Sequence, residues 1–187
     1  MVVLVPLAAA STAPGNPARG QTLGDSPETA ELLVRSKEAL SRANAACGES
    51  TNLLQKAVAL GSSQAMVELG ARYQNGWCVA EDYPTAMQWY KAAAAKGSAE
   101  AMVQVSFLYG MGVVHGAPGE ALRWEIQAAD HGSRVAMISI ARAYAVGAEG
   151  VAKDCDTARF WLEKALSAGD VVAHSPLHDG FGGACRW

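Results

Sequence analysis

Strong charge of either sign is what this sequence most clearly lacks. Charged residues make up 18% of its 187 residues, and the formal net charge is -3. Binding to nucleic acid or to an anionic membrane surface usually depends on clustered lysine and arginine. The sequence has no such cluster, so we expect neither nucleic acid nor a lipid surface among its partners.

Long apolar runs and catalytic motifs are missing as well. No run approaches the roughly 18 apolar residues that a membrane-spanning helix needs, so no span is expected. There is no glycine-rich phosphate loop, no G-x-S-x-G turn and no H-E-x-x-H motif. His174, His178 and Cys185 offer zinc-binding side chains, but Pro176 disrupts the helical spacing of the two histidines. We therefore predict no catalytic residue, no cofactor and no metal site.

The sequence does contain a repeat. Glycine followed by a small polar residue recurs at intervals of 36, 35 and 37 residues, at Gly61-Ser62, Gly97-Ser98, Gly132-Ser133 and Gly169-Asp170. Such a pair ends one helix with a left-handed glycine and caps the next with a side-chain oxygen. Alanine, an aromatic ring and tryptophan keep fixed positions within the period: Ala65, Ala101, Ala136 and Ala173; Tyr73, Tyr109, Tyr144 and Phe181; Trp89, Trp124 and Trp161.

Two amphipathic helices in each period predict an all-α solenoid of antiparallel helix hairpins, each burying its apolar face against its neighbours. We expect about four hairpins and a short C-terminal capping helix, with the tryptophans in the framework. The predicted boundaries are an apolar leader or disordered segment, 1–25; a divergent hairpin, 26–61; full repeats, 62–97, 98–132 and 133–169; and a degenerate cap, 170–187. Residues 26–187 are thus predicted to form one domain.

The stretch AMVELGARYQNGWCVAEDYPTAMQWYKAAAAKG resembles the Sel1-like repeat, a tetratricopeptide-like family with the pattern A-x-x-x-L-G-x-x-Y-x-x-G-x-G-V-x-x-D-x-x-K-A-x-x-W-Y-x-K-A-A-x-x-G. The resemblance covers residues 65–169 as three full repeats. We interpret Trp77 as replacing the second loop glycine, Ala117 as replacing the aspartate found at 82 and 154, and Thr157 as replacing lysine. The resemblance implies adaptor or regulatory roles through protein binding, and it names no partner.

The four cysteines fall in the turns between the first and second helices of their hairpins. Neighbouring turns lie about one helix-packing distance, ~10 Å, apart, and flexible loops can close that gap to disulfide range. We predict the pairs Cys47–Cys78 and Cys155–Cys185. The alternative is four unpaired cysteines in a cytoplasmic protein.

The N-terminal stretch MVVLVPLAAASTAPG bears on the compartment. It has a short apolar core and the Ala8–Ala10 run of a cleavage site, but no lysine or arginine before them. Two of the three features of a signal peptide are therefore present. Together with an even number of cysteines, it favours a periplasmic or secreted bacterial protein, with the cytoplasm as the alternative.

Candidate binding residues follow from the helical wheel of the first helices. With Ala65, Leu69 and Tyr73 packed inward, positions 68, 71 and 75 face away, and these positions vary between repeats. Aromatic and arginine side chains are enriched at interfaces, and Phe107 and Met111 form an i, i+4 apolar pair there. The predicted partner-binding residues are Glu68, Gln104, Phe107, Met111, Ser139 and Arg142. The open alternative is that superhelix curvature or the N-terminal segment covers them.

The function we predict is a non-catalytic module that binds a partner protein on its concave face. It would serve as an immunity or inhibitor protein for a secreted effector, or as an envelope adaptor. The alternative is an enzyme of cell-wall or β-lactam metabolism, as described for some cysteine-rich relatives in the family that the sequence resembles.

Overall fold

The computed structural model describes residues 26–42, 46–148, 150–168 and 183–185. Within these residues the chain forms eight α-helices and no strand: α1 Pro27–Ser41, α2 Cys47–Ala59, α3 Ser63–Asn75, α4 Tyr83–Ala94, α5 Ala99–Gly110, α6 Glu120–Asp130, α7 Arg134–Val146 and α8 Cys155–Ser167. Each helix packs against the next one along the chain. The helices therefore form four stacked hairpins, and the predicted all-α solenoid is confirmed.

Some predicted features fall on other parts of the chain. The leader, the Gly169-Asp170 pair and the capping helix with Ala173, Leu177 and Phe181 lie outside the described residues. The division into a leader and one domain stays a prediction.

The glycine–serine pairs separate one hairpin from the next, as predicted. Gly61, Gly97 and Gly132 have φ values of 87°, 85° and 87°, a left-handed conformation that other residues adopt only at a cost. The following serine is in each case the N-cap of the next helix, and its hydroxyl accepts a hydrogen bond from the backbone N–H three residues on, at Ala65, Ala101 or Ala136. Each cap satisfies an N–H group that a helix start leaves without a partner.

The recurring residues form the packed framework. The three alanines that follow the caps are buried, and so are Ala86, Ala121 and Ala158 on the second helices. Trp89, Trp124 and Trp161 are half-buried against one continuous core that runs through hairpins two, three and four. Hairpin one packs through a smaller separate cluster of Leu54, Ala57, Ala65 and Leu69. The interpretation of the tryptophans as framework residues is confirmed.

One interpretation of the repeat pattern was wrong by a residue. Trp77 is 58% exposed, whereas Cys78 has φ 65°, the only positive value of a non-glycine among the described residues. The second loop glycine of the pattern stands two residues after the first, which is Gly76. Cys78 therefore replaces that glycine, and it keeps the left-handed backbone that the loop requires.

Candidate partner-binding face

The six residues predicted to bind a partner lie on the first helices of three stacked hairpins. Glu68 is on α3, Gln104 and Phe107 are on α5 with Met111 at its C-cap, and Ser139 and Arg142 are on α7. Glu68, Gln104 and Ser139 are half-buried, while Arg142 is exposed. Their role in binding stays a prediction, but their positions and surroundings can be described.

Large apolar side chains remain exposed on this face. Phe107, Met111 and Val146 keep 49%, 48% and 52% of their surface accessible. Curvature of the solenoid therefore leaves Phe107 and Met111 uncovered. Neighbouring exposed apolar side chains are a common feature of protein-binding surfaces.

Two open cavities lie next to these side chains and share one wall. The first is lined by Ser106, Phe107, Gly110, Met111, Ala121 and Glu125. The second is lined by Glu125, Ser139, Arg142, Ala143, Val146 and Ala148. We call the two together the Glu125 groove, since Glu125 of α6 belongs to both. The groove brings together four of the six predicted residues; Glu68 and Gln104 line neither cavity.

The groove is open where hairpin three lacks the large buried side chain that the other hairpins have at the equivalent position, namely Leu54, Tyr90 and Leu162. In hairpin two the equivalent residue is Tyr90, which is 1% exposed and donates a hydrogen bond from its hydroxyl to Gln74 Oε1 at 2.7 Å. Its ring lies so close to Gly70 that a Cβ there would be 2.6 Å from a ring carbon. In hairpin three the equivalent pair is Glu125 and Ser106. A carboxylate and a hydroxyl leave unfilled the space that a ring would occupy.

Glu125 is the residue of this site that the sequence analysis missed. Its signal was present, because the pattern has Trp-Tyr at this point and the third hairpin has Trp124-Glu125. Comparing the residues that successive repeats have at each inward-facing position would have revealed the change. Glu125 lies on a second helix, whereas the candidate residues all come from outward positions of the first helices.

Charges of both signs border the groove. Arg142 is exposed and lines the second cavity. The Glu125 carboxylate lies on the shared wall. The groove thus combines apolar side chains at Phe107, Met111 and Val146 with a cationic side chain at Arg142.

Tyr90, which fills the equivalent position in hairpin two, has an ionisable hydroxyl whose pKa is changed by its surroundings. Burial raises the pKa of the Tyr90 hydroxyl above its ordinary value, and the negative charges of Glu100 and Glu68 raise that pKa further. The Tyr90 hydroxyl, packed and hydrogen-bonded, therefore stays protonated to a higher pH than the hydroxyl of an exposed tyrosine does.

Both disulfides are present with the predicted pairing. Cys47 at the start of α2 is bonded to Cys78 in the loop after α3, with a Cα–Cα distance of 5.3 Å. Cys155 at the start of α8 is bonded to Cys185, with a Cα–Cα distance of 5.6 Å. The first bond joins hairpins one and two, and the second joins α8 to the C-terminal segment.

Two further searches of the described part bear on function. No group of three or more histidine, cysteine, aspartate or glutamate side chains there is arranged to hold a metal ion. His174 and His178 lie outside the described residues. None of the helices described combines the length and the hydropathy needed to cross a membrane.

Repeat, capping and framework geometry together define a helical-repeat protein of the interaction class. The Sel1 repeat family model matches residues 63–98, 99–133 and 134–170. The chain belongs to the Sel1 repeat family, whose repeats mediate protein interactions.

Solved structures share this fold. A protective antigen present in uropathogenic Escherichia coli strains, displaying an SLR fold, superposes with a TM-score of 0.71 at 29% identity over 83% of this chain. A Sel1 repeat protein from Oxalobacter formigenes superposes with a TM-score of 0.68 at 26% identity over 78% of this chain. The aligned parts are 34% and 60% of those two proteins, so this chain spans only part of their length.

Two other results set limits on the comparison. An immunity protein from Pseudomonas aeruginosa superposes with a TM-score of 0.39 at 18% identity, over 76% of this chain and 67% of that protein. At that TM-score the likeness supports nothing about the role of this chain. A search of curated protein sequences finds no significant match.

Proposed function

We propose that this protein is a non-catalytic binding module that holds a partner protein in the Glu125 groove. The observation that carries the proposal is the replacement of the framework ring by Glu125 opposite Ser106, which opens a groove beside Phe107 and Met111. A repeat that only had to stack would keep this position filled, as hairpin two does with Tyr90. Framework positions that lose their ring next to exposed apolar side chains are suited to contact a partner.

The chemistry of the groove specifies the kind of contact. A partner would place an apolar side chain against Phe107 and Met111, where burial of about 100 Å² of apolar surface contributes roughly 2.5 kcal/mol. Arg142 would donate hydrogen bonds to a carboxylate or carbonyl of the partner. Mixed polarity of this kind favours a folded protein surface or segment over a purely apolar ligand.

The two disulfides support an extracytoplasmic location, because disulfides persist mainly in oxidising compartments. The similar structures come from bacteria, so the periplasm or the exterior of a bacterial cell is the compartment we propose. Whether the module serves as an immunity or inhibitor protein or as an envelope adaptor stays a prediction, which the identity of the partner decides.

A comparative capture experiment tests the proposal. The tagged full chain and the Phe107→Ala/Met111→Ala variant are used to capture proteins from the periplasm of the source cells, and bound proteins are identified by mass spectrometry. We expect the wild-type chain to retain a partner that the variant loses, with affinity reduced at least about tenfold, because hot-spot truncations cost about 2 kcal/mol or more and each ~1.4 kcal/mol is a factor of ten.

Phe160→Ala is the matched control. Phe160 is 59% exposed, like Phe107, but it lies on α8, a second helix away from the groove. The control should retain the partner at the wild-type level. Equal capture by all three proteins would contradict the proposal that the groove is the binding site, and turnover of a cell-wall or β-lactam substrate by the purified chain would contradict its non-catalytic nature.

A further inference from the structure

Hairpins one and two meet at a buried polar cluster that surrounds Arg72. The whole Arg72 side chain is inaccessible to solvent. Its Nη2 donates to Ser36 Oγ at 3.2 Å and to Ser50 Oγ at 2.5 Å, and its Nη1 donates to Thr51 Oγ1 at 3.0 Å. Ser36 and Ser50 donate in turn to each other's backbone carbonyls, at 3.1 and 2.8 Å. The cluster ties α3 to both helices of hairpin one.

Equivalent positions in the other hairpins are apolar. Ser50 lies eleven residues before the closing glycine, and Ala86, Ala121 and Ala158 occupy that position in hairpins two, three and four. Arg72 lies eleven residues after the preceding glycine, where hairpins three and four have Leu108 and Ala143. All of these apolar residues are buried. Only the first junction therefore carries a charge in the place of core side chains.

The Arg72 charge is buried without a carboxylate of the described residues within ion-pair distance; burial lowers the pKa of Arg72, and the negative charge of Glu68 offsets only part of that effect. All three of its hydrogen-bond partners are neutral hydroxyls, and its Nε has no partner. Taking a guanidinium out of water costs free energy that neutral acceptors offset only in part. Separation of hairpin one from hairpin two would return the charge to water and recover that cost. The junction is therefore easier to open than the apolar junctions between hairpins two, three and four.

A disulfide closes this same junction. The Cys47–Cys78 bond joins the start of α2 to the loop after α3. Cys78 has a φ of 65°, the left-handed conformation that this position of the loop requires and that is unfavourable for any residue with a Cβ. Without the bond, the desolvation cost of Arg72 favours opening, while the hydrogen bonds of Arg72 and the small apolar cluster of Leu54, Ala57, Ala65 and Leu69 oppose it.

We propose that hairpin one is a redox-controlled end unit of the solenoid. While the Cys47–Cys78 bond is intact, α1 and α2 stay packed on α3; after its reduction they separate together from α3, and hairpins two to four stay folded on their own continuous core. Separation exposes the apolar cluster around Leu54 and Leu69, so the reduced protein presents a different surface from the oxidised one.

The redox step has a defined balance. A dithiol reductant, such as dithiothreitol or a thioredoxin-like protein, supplies two electrons and two protons. The sulfur–sulfur bond of Cys47–Cys78 breaks, two protein thiols form, and the reductant becomes a disulfide. Closure in an oxidising compartment is the reverse exchange with a disulfide-bearing oxidant.

Amide hydrogen exchange on the full chain, read by mass spectrometry, tests the proposal. The Cys155→Ser/Cys185→Ser variant keeps only the first disulfide, so exchange is compared before and after its reduction with dithiothreitol. We expect amides of α1 and α2 to exchange at least about tenfold faster after reduction, and those of α5 and α6 to change less than about twofold, because local opening affects only the unit that opens.

Two further variants separate the causes. Arg72→Leu places at this junction the residue that hairpin three has at Leu108, and it should slow the exchange of α1 and α2 in the reduced protein. Cys47→Ser/Cys78→Ser, which retains the second disulfide, should exchange like the reduced protein without any reductant. If that variant does not fold, the reduced Cys155→Ser/Cys185→Ser protein still gives the same comparison.

Two results would overturn the proposal. One is unchanged exchange of α1 and α2 after reduction, which would show that the disulfide does not control the junction. The other is an equal acceleration in α1, α2, α5 and α6, which would show global unfolding instead of the release of one hairpin.

Discussion

Hairpins two and three have the same backbone plan but differ at the crossing of their two helices. In hairpin two, the Tyr90 ring fills the crossing against Gly70 and hydrogen-bonds Gln74. In hairpin three, Glu125 and Ser106 occupy the same positions, and open cavities lie on both sides of Glu125. One crossing is closed and the other is open, although both hairpins keep the serine cap of the first helix, the alanines and the tryptophan.

The difference shows how a repeat protein separates stability from recognition. Stacking depends on residues at the junctions between hairpins, such as Ala101 and Trp124 of hairpin three. Hairpin two has alanine and tryptophan at the equivalent positions. The helix crossing within a hairpin can then lose its ring without ending the array. That freedom lets one unit carry a groove while its neighbour supplies packing free energy.

The largest expected effect is on the closed crossing. Tyr90→Ala should lower the free energy of unfolding by about 3–5 kcal/mol, because it removes a buried ring and leaves a cavity. Urea denaturation measures the change. The control is Glu125→Ala at the equivalent position, which should cost less than about 1 kcal/mol since it removes a half-buried side chain beside open space. Similar losses for the two variants would mean that the crossings do not differ in packing.

A smaller loss should come from the opposite side of the same contact. Gly70→Ala places a Cβ 2.6 Å from a Tyr90 ring carbon, and such overpacking typically costs about 1–3 kcal/mol. Gly110→Ala is the matched control on α5, where a Cβ would meet nothing within 4 Å. It should leave thermal stability unchanged or raised, because alanine favours a helix over glycine. A stable Gly70→Ala protein would show that the ring can move aside.

The ionisation of Tyr90 gives a pH-dependent version of the comparison. Burial raises the pKa of Tyr90 in the folded protein, while in the unfolded chain a tyrosine ionises near pH ~10. The folded state then holds a proton that the unfolded state loses, so this contribution to stability is complete below about pH 10 and falls as pH rises above it. Denaturation midpoints at pH 8 and pH 10.5 should differ more for the wild type than for Tyr90→Phe. If the midpoints of the two proteins shift equally between these pH values, the Tyr90 hydroxyl is in contact with water in the folded state.

Much of the fold could be predicted from the sequence because periodic features report on stacking. Gly97 and Ser98 mark a helix boundary by local backbone chemistry alone, without any knowledge of distant contacts. The cysteine pairs followed once the turns were known to share an edge. The exposure of Phe107 and Met111 followed from the helical wheel, because the inward residues of α5 were already assigned.

The remaining features depend on contacts that no single helix encodes. The Glu125 groove arises where a framework residue is missing. The sequence shows this only as a change from Tyr90 to Glu125 at one inward-facing position of the repeat. The Arg72 cluster requires α1, α2 and α3 to meet, and the separate positions of Ser36 and Ser50 give no hint of a buried guanidinium. Trp77 was misassigned because the second glycine of the pattern was placed one residue too early; backbone conformation shows that the position is that of Cys78.

Filling the groove is the most direct test of the account. The Ser106→Gly/Glu125→Tyr variant gives hairpin three the closed crossing of hairpin two; the glycine is needed because Gly70 leaves no room for a Cβ beside Tyr90. Isothermal titration with the partner captured by the wild-type chain would measure binding, and thermal denaturation would verify folding. We expect a protein at least as stable as the wild type that binds the partner at least about tenfold more weakly. A folded variant with wild-type affinity would contradict the assignment of the Glu125 groove as the binding site.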